Sequence, residues 1–456
     1  MPRRFWPPGA FLAILAAVTL ITCGRPVAKE AGWGPAAVIP GSSTISDAFA
    51  PEVAMDALGD AIVVWQASQP AADALMAARQ APDGTWQEAV SVDTPVGALV
   101  AYQHVAMDAA GNAVAIWVRQ ASFPTVWASR SSPATGWTPP ERLTPAREQG
   151  GFPQLAVDPM GHGLAVWGST RLNFPPIDWT IWASRLAQGQ WEPAQPIESP
   201  RLETGGSSAG IAVSAAGTGL AVWTERQRGV PRIWANRFRP ETGWATAEPI
   251  SDEDPLGVSF ADVAMDAMGN GMAISLHWVA SAVQDIVASR YIAGRGWETP
   301  VTAAPSRNSV QSLQMAMDPS GNALVIWHEA GPGDVFRLWS TRFTIGAGWG
   351  HPLLLQDEVG TVEPARIAMD AEGNGTAVWR QVKADRLGIY AARFNVNGGW
   401  GRPEIIGSTS RGGTSLGFTG SVVVAMSPGG EALACWSQQE SGRHVIWARR
   451  FDHERR

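Results

Sequence analysis

The sequence predicts an all-β chain closed into an eight-bladed β-propeller, with four antiparallel strands to a blade. Three observations carry this. First, one stretch is written eight times, most clearly as Val105-Ala106-Met107-Asp108-Ala109-Ala110-Gly111-Asn112-Ala113-Val114-Ala115-Ile116-Trp117, and again at 53–65, 155–167, 211–223, 263–275, 315–327, 367–379 and 424–436. Second, the copies recur every 50 to 57 residues along the chain, the mark of a repeat architecture. Third, the eighth copy lacks its last segment, and a segment of that kind stands at the other end of the chain, at 32–39. A solenoid has no use for a permuted terminal strand, whereas a ring closes its last blade with it.

Taken in order, the chain opens with Arg3 and Arg4 before an apolar run over 9–22. That run is short for a membrane span and fits the hydrophobic core of an export signal. Its end, Leu20-Ile21-Thr22-Cys23, resembles a bacterial lipoprotein signal, with Thr22 where Gly, Ala or Ser is usual. The resemblance implies a signal peptide over 1–22, a lipid on Cys23, a tether over 23–31 and an address in the cell envelope, at the outer membrane. A simply cleaved secretion signal is the alternative. The other cysteine, Cys435, sits in an apolar run and reads as a small buried hydrophobe, so no disulfide framework exists.

The propeller is expected over 32–451, with a tail at 452–456. In each unit the first apolar segment ends in an Asp-x-x-Gly turn. There Asp accepts backbone N–H groups and Gly takes a left-handed conformation. The second strand returns to the Trp. Apolar residues run consecutively in both strands, so both faces of each are expected to be buried. A variable loop leads to a third strand of the type Ile-Trp-Ala-Ser-Arg. A second turn, Gly-Trp, opens the fourth strand. Pro139, Pro193, Pro249, Pro300, Pro352 and Pro403 follow that Trp closely, which makes the fourth strand an outer edge guarded against pairing with other sheets. The repeat also explains 23 Trp against 3 Tyr.

These elements resemble the secreted propeller repeats of Gram-negative bacteria, of the form Asp-x-x-Gly-Asn, then Trp, then Ile-Trp-Ala-x-Arg, then Gly-Trp. The likeness covers 32–451. More distantly the chain resembles sialidase-type propellers. Their Asp box, Ser-x-Asp-x-Gly-x-x-Trp, is not matched: here Asp-x-x-Gly is followed by Trp six residues on. Sialidase activity is therefore not implied.

Composition excludes several function classes. Only 16% of residues are charged and the net charge is −7, without a basic patch, so no nucleic-acid partner is expected. The seven His form no metal-binding pair, no calcium loop is present, and no Gly-x-Ser-x-Gly elbow appears. No cofactor, metal or catalytic residue is assigned, and a monomer is expected.

Two repeated positions could form a ring of ligand sites, one per blade. The acid is Asp56, Asp108, Asp158, Asp266, Asp318 or Asp370, with Ser214 and Ser427 in the remaining copies. The base is Arg79, Arg130, Arg185, Arg237, Arg290, Arg342, Arg393 or Arg449. Turn capping by Asp and bridging between blades by Arg is the reading favoured by their placement in turns. Specificity is expected on the opposite face, where residues vary. Ahead of each innermost strand stand Glu52, His104, Gln154, Gly210, Asp262, Gln314, Arg366 and Val423. After the second strand stand Arg119, Glu225, Arg226, His277, His328, Glu329, Arg380 and Gln438. Gln314, His328, Glu329, Arg366 and Arg380 form the richest cluster, with Glu52, His104, Asp262 and Glu225 as further candidates. The function expected is a surface-anchored scaffold that binds a glycan or a protein on this face. The alternative is a hydrolase or lyase acting on polysaccharide at the channel mouth, for which the acids are not obviously paired.

Overall fold

The computed structural model describes residues 31–43, 47–68, 73–94, 98–171, 179–198, 209–253, 256–331, 335–356, 360–383, 386–408 and 422–453. These residues form eight antiparallel sheets. Blade 2 shows the plan. Leu99–Met107 pairs with Ala113–Gln120, which pairs with Thr125–Ser132. The outer strand comes in two pieces on either side of its prolines, Gly136–Trp137 and Glu141–Arg142, both on Thr125–Ser132. Proline has no N–H to give the ladder, so the edge strand breaks where proline stands.

The innermost strands pack one against the next round the molecule, and the eighth, Val422–Met426, packs against the first, Asp47–Met55. Closure is covalently out of order, as the sequence implies. Gly32–Trp33 and Ala37–Val38 pair with Arg443–Asp452, the third strand of the last blade. Trp33 meets Phe451 edge-on at 5.6 Å. The same aromatic pair occurs within single copies at Phe238–Trp244, Tyr291–Trp297, Phe343–Trp349 and Phe394–Trp400, all at 5.3–5.4 Å. The N-terminal strand thus occupies the slot that other blades fill from their own chain.

The core lies between blades. Trp65, Trp117, Trp167, Trp223, Trp327, Trp379 and Trp436 are fully buried. Trp117, for example, packs against Val64, Leu75 and Val92 of the preceding blade. The second strands are buried on both faces: Ala61 through Trp65 are 0% exposed. The innermost strands differ from expectation and are half-buried, Arg366–Met369 along its whole length. Among the described residues no further strand pairs with their inner edge, which faces the axis of the ring.

Candidate functional site

The two repeated positions are spent on the scaffold. Asp108 Oδ1 accepts the backbone N–H groups of Ala110 and Asn112, and Oδ2 accepts Asn112 Nδ2. Asp56, Asp158, Asp266, Asp318 and Asp370 cap their turns in the same way. The turn glycine is dictated twice over. Gly161 has φ +85°, and a Cβ there would stand 2.9 Å from Asp108 Oδ2 of the preceding blade. Each Arg reaches the following blade: Arg79 Nη1 donates to the Gly111 carbonyl and Arg393 covers the Phe451 ring at 4.0 Å. In blade 8 this role belongs to Arg450 and not to Arg449. Arg450 lies opposite Leu433, as Arg79 lies opposite Ile62, and it donates to the Gly59 carbonyl. Arg449 faces the other way and holds the Gly34 carbonyl.

The eight residues expected to rim the channel do share one level. Glu52, His104, Gln154, Gly210, Asp262, Gln314, Arg366 and Val423 each pair with the residue one before the core Trp position, from Val64 round to Cys435. They lie within the innermost strands and not ahead of them, because most of these strands continue past the level through a bulge. The tier is polar and irregular. His104 Nε2 meets Gln154 Nε2 at 3.1 Å. Asp262 accepts the N–H of Val263 with one oxygen and that of Met315, in the next blade, with the other. Among the described residues, no hydrogen bond or ion pair engages Glu52, Gln314 or the Arg366 guanidinium.

Electrostatics tie this tier together. Burial pushes the Asp262 carboxyl up to about 6, against the pull of its two amide donors and of Arg366. Burial also lowers His104, with Glu52 opposing and Arg366 reinforcing that shift. Arg366, from blade 7, therefore acts on groups from blades 2, 5 and 6. Convergent polar groups with displaced pKa values in a channel are the usual signature of a site.

The residues after the second-strand Trp part company with expectation. Glu225, His328 and Glu329 are 2%, 2% and 8% exposed. Glu225 Oε2 accepts Trp223 Nε1 at 2.8 Å. Glu329 takes the Arg307 N–H, Asn308 Nδ2 and Trp327 Nε1. Each thus satisfies a buried indole two residues earlier, as Gln381 and Gln438 do for Trp379 and Trp436. An indole N–H shut inside a seam needs an acceptor. His328 meets Ser312 Oγ at 2.5 Å through Nδ1, and burial lowers its pKa to about 4. Arg380 forms an ion pair with Glu363 at 3.0 Å. The proposed cluster is therefore divided: Gln314 and Arg366 stay on the channel tier, Glu329 and Arg380 are held by partners within their own blades, and His328 is buried with Arg366 reinforcing its shift. Arg119 is likewise occupied, bidentate to Asp93 and over the Trp127 ring at 3.6 Å.

Sequence reasoning missed Glu363 and Asp93, which show no repeat, and three neighbouring aromatics, the exposed Tyr102 and Phe152 and the half-buried Trp179. The first two stand two residues before His104 and Gln154, so aligning the copies on the channel tier reveals them. On the turn face, a cavity of about 300 Å³ opens between blades 2 and 3, lined by Asp108, Arg130, Thr135, Met160 and Leu186. Cys23 lies outside the described residues.

No family model matches this sequence, and no curated protein does. Among solved structures, the chain is similar to a protein of unknown function from Dyadobacter fermentans, at 11% identity, covering 92% of this chain and 98% of that one, with a TM-score of 0.44. It is also similar to a leech intramolecular trans-sialidase, at 8% identity, 93% and 94% coverage and a TM-score of 0.42. An ulvan lyase of a polysaccharide lyase family follows at 10% identity, 80% and 94% coverage and 0.49. Likeness at this distance says nothing of the channel residues, and the eight-bladed propeller itself stands on the strand pairing described above.

Proposed function

We propose that this propeller binds an acidic glycan at the mouth of its central channel, with Arg366 as the partner of the sugar carboxylate. One observation carries the reading. A guanidinium stands in the channel, level with Glu52, His104, Gln154, Asp262 and Gln314, and no described group pairs with it. Arginine presents a planar fork that fits a carboxylate, and the surrounding amides, imidazole and carboxyls suit hydroxyl groups. The same level carries seven residue types in its eight positions and not eight copies, so a single off-axis site fits better than a ring of sites. The test is binding of acidic oligosaccharides and their carboxyl-reduced forms. Arg366→Gln should weaken the acidic ligand about tenfold, leave the reduced ligand unaffected, and keep stability within about 1 kcal/mol. Equal loss for both ligands, or none, overturns the role of Arg366.

The same proposal places the protein outside the cytoplasm, held by lipid on Cys23. The export-signal pattern of residues 1–22 supports this. Mass spectrometry of the mature protein should find an N-terminal lipidated Cys23, and Cys23→Ser should release the protein or stop its processing. An unlipidated N-terminus elsewhere refutes anchoring.

A second reading, cleavage of the same polysaccharide by a hydrolase or lyase mechanism, is favoured by Asp262. Its carboxyl, raised to about 6, shares a level with Glu52 and His104. A carboxyl that keeps its proton in mildly acidic solution can serve as a general acid. New reducing or unsaturated ends that vanish in Asp262→Asn would move the assignment to this reading.

A further inference from the structure

The channel tier accounts for the acidic group of a glycan but offers nothing for the faces of its rings. Those surfaces are apolar C–H arrays, and aromatic side chains are what covers them. The innermost strands of blades 1, 2 and 3 share an irregularity just before their channel residue. The register shifts between Phe49 and Glu52, between Ala101 and His104, and between Gly151 and Gln154. In each, the first inserted residue is left-handed without being glycine: Ala50 at φ 46°, Tyr102 at φ 53° and Phe152 at φ 53°. A side chain there is strained, and such strain persists where the displayed group has a use.

What blades 2 and 3 display is a pair of rings. Tyr102 is 47% exposed and Phe152 39% exposed, and their centroids lie 4.8 Å apart. Trp179, half-buried and just before the third strand of blade 3, Thr180–Ala187, has its ring 6.4 Å from that of Phe152. Two residues further along the same strands stand His104 and Gln154, bonded to each other in the channel tier. Apolar rings and polar groups therefore follow one another on two adjacent strands.

We propose that Tyr102, Phe152 and Trp179 form a stacking shelf for the pyranose rings of the glycan chain whose acidic group enters the channel. This rests on the reading of the channel as a glycan site. The rings take the C–H faces of successive sugars while the His104–Gln154 pair meets their hydroxyls. Because stacking does not depend on charge, the shelf serves acidic and carboxyl-reduced chains alike.

Glycine substitution separates a binding role from a structural one. Glycine relieves the left-handed backbone, so Tyr102→Gly and Phe152→Gly should leave the melting temperature unchanged or raise it. The double variant should bind both the acidic oligosaccharides and their carboxyl-reduced forms roughly tenfold more weakly. Tyr102→Phe and Phe152→Tyr should retain affinity within about twofold. A fall in melting temperature with affinity unchanged makes the rings structural and overturns the shelf. Undiminished binding in the glycine variants overturns it while leaving the glycan reading intact. A wild-type protein that binds no oligosaccharide across an array of uronates and sialosides overturns both. Loss on the shelf with none in Arg366→Gln keeps the shelf and removes only the role given to Arg366.

Discussion

Glu225 shows how a single residue can look like a ligand-binding acid and serve the core. Its neighbours in sequence are polar, yet strand geometry turns it inward onto the Trp223 indole. Burial pushes its carboxyl up to about 8, helped by Glu198 and opposed by the Trp223 bond. The folded pKa thus lies above the unfolded one, so the folded state holds the proton more tightly. Stability from this group is complete below about pH 4.5, the unfolded value, and declines as pH rises toward 8. Blades 7 and 8 use Gln for the same task, with Gln381 and Gln438 accepting from their Trp residues. Glu225→Gln should therefore stabilise the protein at pH 8 by on the order of 2 kcal/mol and change little at pH 4. Thermal melts at the two pH values measure this, and an equal effect at both refutes the assignment.

At the scale of the element, the N-terminal strand decides closure. Residues 32–39 supply Trp33 against Phe451, the Gly34 carbonyl for Arg449, and Ile39, which is 0% exposed. Without them the edge of Arg443–Asp452 lies open and its aromatic loses its partner. Burial of one Trp and one Ile contributes several kcal/mol, on the order of 5, a large share of a domain's net stability. Deleting 32–39 should lower the melting temperature by more than about 10 °C or cause aggregation through the bared edge. An unchanged melting curve would show that the ring closes without this strand.

Across the whole molecule the seams are unequal. Five of them carry an Arg over the next blade's aromatic: Arg185 on Phe238, Arg237 on Tyr291, Arg290 on Phe343, Arg342 on Phe394 and Arg393 on Phe451. The residue opposite the start of the second strand decides this. It is aromatic in those five, but Ser131, Leu186 and Gln80 stand there for Arg79, Arg130 and Arg450. Arg393 also donates to Thr376 Oγ1 and to the Gly430 carbonyl, whereas Leu186 gives Arg130 neither ring nor acceptor and a cavity opens beside it. Arg393→Ala should cost on the order of 3 kcal/mol and Arg130→Ala about 1 kcal/mol. Denaturant unfolding of the two variants compares them directly, and equal costs would deny the cation–π ladder its role.

Much of this was legible in the chain itself. Repetition makes the scaffold readable, because a residue required by every blade must recur. Thus the Asp-x-x-Gly turns, the buried Trp, the guarded outer edge and the displaced closing strand all follow from period and residue type. The level of the channel tier also follows, since Glu52, His104, Asp262, Gln314 and Arg366 share one offset from their turns. What did not follow is which polar residues are free. Glu225, Glu329 and Arg380 are chemically as able to hold a ligand as Glu52 or Arg366. Only the folded geometry of each blade, which turns these side chains inward, shows that Trp223, Trp327 and Glu363 already hold them. The same holds for Tyr102 and Phe152, whose exposure arises from bulges in strands far apart in sequence and adjacent in space. Local pattern determines which elements form. Whether a side chain's hydrogen-bonding surface is already satisfied depends on which way its strand turns it and what then lies beside it, and the Tyr102–Phe152 pair arises only where two blades meet.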